Sequence, residues 1–444
     1  MKVNFKRKRF VLLILGFLVF QCLYVLGLMC FGKSNSIFGS FTNVFGEPEA
    51  EPISVLMIQY ANSAPGNKYF LNLNGFMGAT ESYPQFDVTV VEGVGNNLLI
   101  LSDIIDKAHD EGVSNIFLFG FPYGLEMENI FRRYQDISFY YYNGKATGGN
   151  VRNYGVSIFM EKYYLGMLAG MQTLTNNIGY ISDFPFIENM RSINYFARGV
   201  EFVNPKATVN VVWTGNSFDK EVTAQAVQKL HDNNAVDVVT GSMIACYWCD
   251  KAEELQMYYI GQHTDDVEKE HKYYLSSYEL DYRQVYLRLF SMINSEFNGF
   301  GEDITWFNET DGAVNIASFS PLVSREIVRR ISMRRSQLLS CDDYVFRGPV
   351  YSNDGQMIAP ANSLVTDKLL SNKVLSLYKN IKESVLDESG NLSSRWESNH
   401  SINSSLVGDS FYEQDLRQQS SVSISKMNKA ECLSFLDELK VQQN

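Results

Sequence analysis

The sequence predicts an α/β protein of two doubly wound, parallel-sheet lobes, placed behind an N-terminal transmembrane or signal segment. Three observations carry this. Short apolar runs alternate with helical stretches from Ile53 onward; the cycle starts afresh after Asn176; and an uncharged run, Phe10 to Gly32, follows Lys2, Lys6, Arg7, Lys8 and Arg9. At 444 residues the chain is too long for a single hydrophobic core and suits two lobes with extensions.

The elements follow in order. At about 1.5 Å per residue, the Phe10–Gly32 run is long enough to cross a hydrocarbon core of roughly 30 Å. The basic residues before it belong on the cytoplasmic side, which sends the rest of the chain across the membrane. Residues 1–33 read as an uncleaved signal anchor. The alternatives are a lipoprotein signal ending at Cys30, with Leu28 and Met29 bulky where small residues belong, and a cleaved signal without a small-x-small site. Residues 34–52, rich in Ser, Asn, Gly and Pro, read as a linker.

The first cycle has strands at Ser54–Gln59, Phe86–Val91, Ile116–Phe119 and Ile137–Tyr142, and helices at Leu98–Glu111 and Phe159–Thr173, the latter with small residues at Gly166, Ala169 and Gly170. The second has strands at Ile178–Ile181, Thr208–Trp213 and Val236–Val239, with helices at Glu188–Val203 and Glu221–Asn233. Such βα repetition implies parallel sheets with right-handed crossovers. Residues 386–444 read as a tail, rich in Ser, Asn and Gln and mostly disordered, with an amphipathic helix expected at Lys426–Lys440.

Composition excludes some functions. A net charge of -12 argues against nucleic acid, which needs a basic surface. There is no Ser/His/Asp order, no H-E-x-x-H and no P-loop, so no enzyme class or cofactor is indicated. Four cysteines lie beyond the anchor: Cys246, Cys249, Cys341 and Cys432. Cys246 and Cys249 lack the strand-to-helix context of a thioredoxin motif and the partners of a zinc site, leaving a local disulfide or two free thiols.

The stretch from Tyr142 to Asp237 resembles the basic membrane protein (Bmp) family of ABC-transporter substrate-binding lipoproteins, in the branch associated with purines. The matching text includes Asn143-Gly144, Tyr164-Leu165-Gly166-Met167-Leu168-Ala169-Gly170, Ile178-Gly179-Tyr180-Ile181 and Val203-Asn204-Pro205-Lys206-Ala207-Thr208. Tyr259-Ile260-Gly261 with Asp265, and Phe346-Arg347-Gly348-Pro349-Val350, extend it, so that it spans roughly Ile53 to Val385. The resemblance implies a type I periplasmic-binding-protein fold, with a hinge and a central cleft. The first lobe would hold 53–176 with about 274–318, and the second 177–273 with about 319–385. It further implies a small purine- or nucleoside-like ligand handed to an ABC permease. The N-terminus would tie the protein to the inner or outer membrane, on its extracytoplasmic side.

A purine site needs flat faces and a few polar readers, and strand ends are where such sheets bind ligands. The family places an aromatic residue after the first strand, where Tyr69 and Phe70 stand here. Phe184 and Trp213 end strands of the second lobe, Trp213 with a core role equally in view. Asn143, Glu188 and Asp265 offer polar contacts, with helix-dipole and capping roles as alternatives for the last two. The family's His-x-Asp-Ser type segment is replaced by Gly241-Ser242-Met243-Ile244, and Asn62 to Gly75, read as the opening loop, lacks the family's acidic and Trp pattern, so a remodelled site is expected. His263 is the histidine nearest the expected cleft, as a hydrogen-bonding residue rather than a base. The competing function is a ligand-sensing or scaffold module that regulates a membrane partner.

Overall fold

The computed structural model describes residues 52–121, 126–144, 148–263, 271–295, 304–340, 343–363, 377–386 and 390–393. The anchor, most of the linker, Cys30, Asp265, Cys341, Cys432 and residues 394–444, with the expected Lys426–Lys440 helix, lie outside the described residues. Within the unit Ile53–Asn444 the described residues form two large sheets and two small two-stranded ones. The α/β class read from the sequence is what the structure shows.

The first sheet grows from β1 (Ile53–Gln59), flanked by β2 (Phe86–Val91) and β3 (Asn115–Phe119), all parallel. Val55 to Ile58 and the whole of β3 are buried, as expected of strands covered on both faces. β4 (Ser138–Tyr142) and β5 (Val151–Val156) extend the sheet. Helices α1 (Lys68–Thr80), α2 (Leu98–Asp110) and α3 (Glu126–Arg133) make the crossovers. Half of the segment read as an opening loop is therefore helix: Asn67 caps α1 by accepting the Phe70 N–H at 2.8 Å. Its polar residue Asn72 faces inward and is hydrogen-bonded there, a tertiary contact that periodicity alone does not reveal.

α4 (Phe159–Gln172) leads to the second sheet, where β6 (Asn177–Ser182) lies between β7 (Thr208–Trp213) and β8 (Val238–Ser242). α5 (Ile187–Val203), α6 (Lys220–Asn234) and α7 (Cys249–Glu254) are its crossovers, and β9 (Tyr258–Ile260) pairs with β8. α4 and α5 pack backbone to backbone: a Cβ on Gly166 would run into the Phe196 carbonyl, and one on Gly199 into that of Tyr163.

The chain then crosses twice more. β10 (Tyr274–Ser276) still pairs with β9, so the return to the first lobe begins a few residues later than 274, with β11 (Tyr278–Leu280). α8 (Tyr282–Asn294) packs on α1, β12 (Thr305–Phe307) completes the first sheet beside β5, and β13 (Val314–Ile316) pairs with β11. α9 (Arg325–Leu339) lies against α4, where Arg334 donates to the Tyr163 hydroxyl at 3.0 Å. A small hairpin of β14 (Val350–Tyr351) and β15 (Met357–Ala359) precedes β16 (Ile381–Leu386), which joins the second sheet beside β7. β17 (Leu392–Ser393) turns back on β16 after Gly390, whose φ of 73° suits the turn. The fold thus reaches past residue 386, where the tail was expected to begin, because Leu386 and Leu392 pack on the second lobe's core.

Each large sheet reverses its winding direction once, between β1 and β3 and between β6 and β8. The crevices at the carboxyl ends of those strands are where ligands of doubly wound sheets sit.

Candidate ligand-binding cleft

The two crevices meet. The backbone N–H of Lys68, at the start of α1, donates to the Ile244 carbonyl beyond β8 at 3.1 Å. The partly buried Lys68 ammonium lies 5.4 Å from the Tyr69 ring centre. Burial holds its pKa below the ordinary value, against the pull of Asp183 and Glu188 across the cleft. Tyr69 is buried edge-on to Phe119, 5.7 Å between ring centres. Burial and then the charge of Asp183 push its hydroxyl's pKa upward.

Opposite stands Asp183, directly after β6. It accepts from the Phe184 N–H, from Asn189 Nδ2 and from Ser217 Oγ, each at 2.7 Å. Desolvation raises its pKa in spite of those donors and of Lys68. Phe184 is buried, its ring tilted against Phe186 at 5.5 Å. Glu188 is half-buried in the first turn of α5.

The floor is built around Lys162 of α4. Its ammonium donates to the Gly241 carbonyl at 2.6 Å and lies 4.8 Å from the Tyr278 ring and 5.3 Å from that of Tyr180. Burial lowers its pKa to about 7. The Tyr180 hydroxyl pairs with Ser242 Oγ at 2.5 Å. His263 is buried edge-on to the same Tyr278 ring at 5.6 Å, with its backbone at φ 72°, and its Nδ1 has no hydrogen-bond partner among the described residues. Burial and the charges of Lys68 and Lys162 bring its pKa down to about 3, so the imidazole is neutral.

Beyond β8, Gln262 ties the loop through Met243, donating to its carbonyl at 2.7 Å and accepting from its N–H at 3.3 Å. Cys246 and Cys249 form a disulfide, and the Trp248 indole between them is buried, donating to the Ile260 carbonyl at 3.1 Å.

Of the residues singled out from sequence, Tyr69, Phe184, Glu188 and Gly241 stand at this junction. Trp213 does not: it is fully buried beside β16, its indole given to Glu383 Oε2 at 3.0 Å. Asn143 is an exposed turn residue at φ 52°, and Phe70 is partly buried one residue beyond Tyr69. Asp265 lies outside the described residues. Sequence reasoning passed over Lys68, Lys162 and Asp183. Asp183 was within reach, as a polar residue directly after a strand; Lys162 was marked by a Glu-Lys pair interrupting an apolar, small-residue helix. Among the described residues no cluster of side chains suits a metal ion, and no helix is long and apolar enough to cross a membrane.

Residues 74–341 match the family model described as ABC transporter substrate-binding protein PnrA-like. The chain belongs to this family. A putative ABC transporter glucose-binding protein of Haloferax volcanii is 26% identical over 239 residues, covering 53% of this chain and 60% of that protein. A purine-binding protein of Brucella abortus is 23% identical over 308 residues, 67% of this chain and 87% of its own length. A transcriptional activator of Bacillus subtilis, Med, is 25% identical over 58% of this chain and 80% of its own. Among solved structures, a solute-binding protein of an ABC transporter system from Aeropyrum pernix superposes with a TM-score of 0.56 at 14% identity, over 66% of this chain and 92% of that one. A transcriptional activator of the comK gene from Bacillus halodurans gives 0.55 at 19%, over 66% and 99%. These likenesses show the fold, the type I periplasmic-binding-protein architecture. For this PnrA-like protein, the junction of the two crevices is the candidate ligand site.

Proposed function

We propose that this PnrA-like protein is tethered outside the cytoplasmic membrane by its N-terminus and captures a small nucleoside- or purine-like ligand between its lobes for an ABC importer. One observation carries the reading. α1 of the first lobe is hydrogen-bonded to the loop after β8 of the second, and buried polar groups from both lobes face each other across that contact. Tyr69, Tyr180 and Tyr278 supply flat surfaces; Lys68, Asp183 and His263 supply polar contacts. The purine-binding relative supports the ligand class, and the uncharged run after the basic N-terminus supports the tether. No step of the reading calls for catalysis.

Thermal unfolding of the full-length chain in detergent against purine bases, nucleosides and sugars tests it. A ligand at ~100 times its dissociation constant adds about 2.7 kcal/mol of stability. A rise in Tm with a nucleoside, abolished by Asp183→Ala, is the expected result. Stabilisation by glucose alone would replace the ligand class. A second reading, a sensing module that regulates a membrane partner, is favoured by the likeness to Med. Retrieval of a regulator rather than a permease with the tagged, membrane-extracted chain would select it.

A further inference from the structure

Among the described residues, Lys162 has lost its water without gaining a counter-charge. It is 1% exposed, and its ammonium gives a single hydrogen bond, to the Gly241 carbonyl. The described groups recorded around it are neutral: Tyr180 on β6, Gly241 and Ser242 on β8, His263 beyond β9 and Tyr278 on β11. The adjoining carboxyl of Glu161 acts on Tyr164 and Tyr278 and is itself governed by burial first, then by Glu309 and Arg335; burial is what lowers the Lys162 pKa. Lys68, the second cation, feels the charges of Asp183 and Glu188.

His263 is a second, independent sign. It is 6% exposed, its Nδ1 is unpartnered among the described residues, and its backbone is held in the left-handed region that side chains other than glycine rarely adopt. Both lysines act on its ring. The Lys162 ammonium and the His263 ring therefore lie against the same Tyr278 ring, with the Gly241 carbonyl as the acceptor in contact with Lys162. Buried unpaired charges and unmet polar groups each cost several kcal/mol or are completed by something that binds.

We infer that the cleft takes a small molecule bearing an acidic group, a carboxylate or a phosphate, whose oxygens are received by Lys162 Nζ and His263 Nδ1, with Lys68 at the edge. The neutral imidazole donates in its Nδ1–H tautomer. The arriving anion supplies the missing counter-charge, so Lys162 takes up a proton from solvent on binding, and affinity falls as pH rises above 7. This rests on the reading of the cleft as a ligand site and narrows its ligand to an acidic one.

The test is calorimetric titration of the full-length chain with a matched trio: inosine, its 5′-carboxylate and inosine 5′-monophosphate, at pH 6.5 and pH 9. One of the two acids should bind at least tenfold more tightly than inosine, with the advantage shrinking at pH 9; which acid wins decides between carboxylate and phosphate. Lys162→Met should erase the advantage. Equal binding of all three, or an advantage that survives Lys162→Met, overturns the inference while leaving a nucleoside site standing. In parallel, inorganic phosphate and acetate are compared with chloride at equal ionic strength by thermal shift. Stabilisation lost in Lys162→Met sustains the anion site even if no member of the trio binds, in which case the nucleoside reading falls alone. No response to either the trio or the small anions removes both. A melting transition of Lys162→Met at or above that of the wild-type chain shows that it is folded.

Discussion

Two buried polar clusters in this chain are built from similar side chains and differ in whether their hydrogen bonds close. In the first lobe, Asn72 Nδ2 donates to Gln59 Oε1 at 2.8 Å, the Tyr286 hydroxyl donates to Asn72 Oδ1 at 2.5 Å, and Tyr154 pairs with Tyr286 at 3.0 Å. Gln59 Nε2 in turn reaches Glu92 at 2.9 Å and Ser63 at 3.0 Å. Every member has a partner, and Phe76, Phe117 and Phe290 close the aromatic wall around them. At the cleft, among the described residues, Lys162 is desolvated with one acceptor and His263 Nδ1 has no partner. A closed network holds a fold in one arrangement; an open one carries a cost that a ligand can relieve. The contrast separates the scaffold of this protein from its site.

Breaking the closed network should have the largest effect. Asn72→Ala strips partners from Gln59 and Tyr286 and leaves a void, so a loss of about 2–5 kcal/mol is expected in urea unfolding, with ligand affinity little changed once the protein is folded. Next is the open cluster. Lys162→Met removes a buried charge, and a gain of about 1–4 kcal/mol at pH 7 is expected in the ligand-free protein. Because the folded pKa of about 7 lies below the ordinary 10.5, the native state binds fewer protons than the unfolded one between those values. Stability of the wild-type chain should therefore rise with pH from about 7 to 10.5, and Lys162→Met should lose that component of the slope.

Glu161 carries the opposite sign and gives a smaller test. Burial raises its pKa from 4.5 to about 8, so the folded state holds the proton more firmly and stability falls as pH climbs from 4.5 to 8. Glu161→Gln should abolish that fall in a Tm-against-pH series. The smallest effect belongs to Trp213→Phe, which forfeits the hydrogen bond to Glu383. A loss of about 1 kcal/mol with unchanged ligand affinity is expected; a large loss of affinity would return Trp213 to the site.

Much of the fold was legible because it is written locally. β1 and β7 are short, mostly apolar runs, and the small residues of α4 mark a helix that another must approach closely, as Gly166 and Gly199 show. α1 was missed because Asn67, Asn72 and Asn74 give it the look of a loop, whereas Asn67 is a cap and Asn72 an interior hydrogen-bonding residue. At the cleft, strand-end position pointed to Phe184, the family resemblance to Tyr69 and the Gly241 segment, and the start of a helix to Glu188. None of these reached Lys162, since a Glu-Lys pair in a helix looks like a solvated turn until its surroundings are known. Trp213 read as a cleft candidate because its acceptor, Glu383, lies 170 positions further along the chain.

The sequence by itself determined that the chain is α/β, that it winds two lobes, and that it belongs with the substrate-binding proteins. Those properties follow from the apolar periods of single segments and from motif order, which act over a few residues at a time. Only the tertiary structure decided which polar groups are satisfied. Lys162 is caged by Tyr180, Gly241 and Tyr278, three residues from three different strands, and whether a charge keeps its water depends on neighbours that distant.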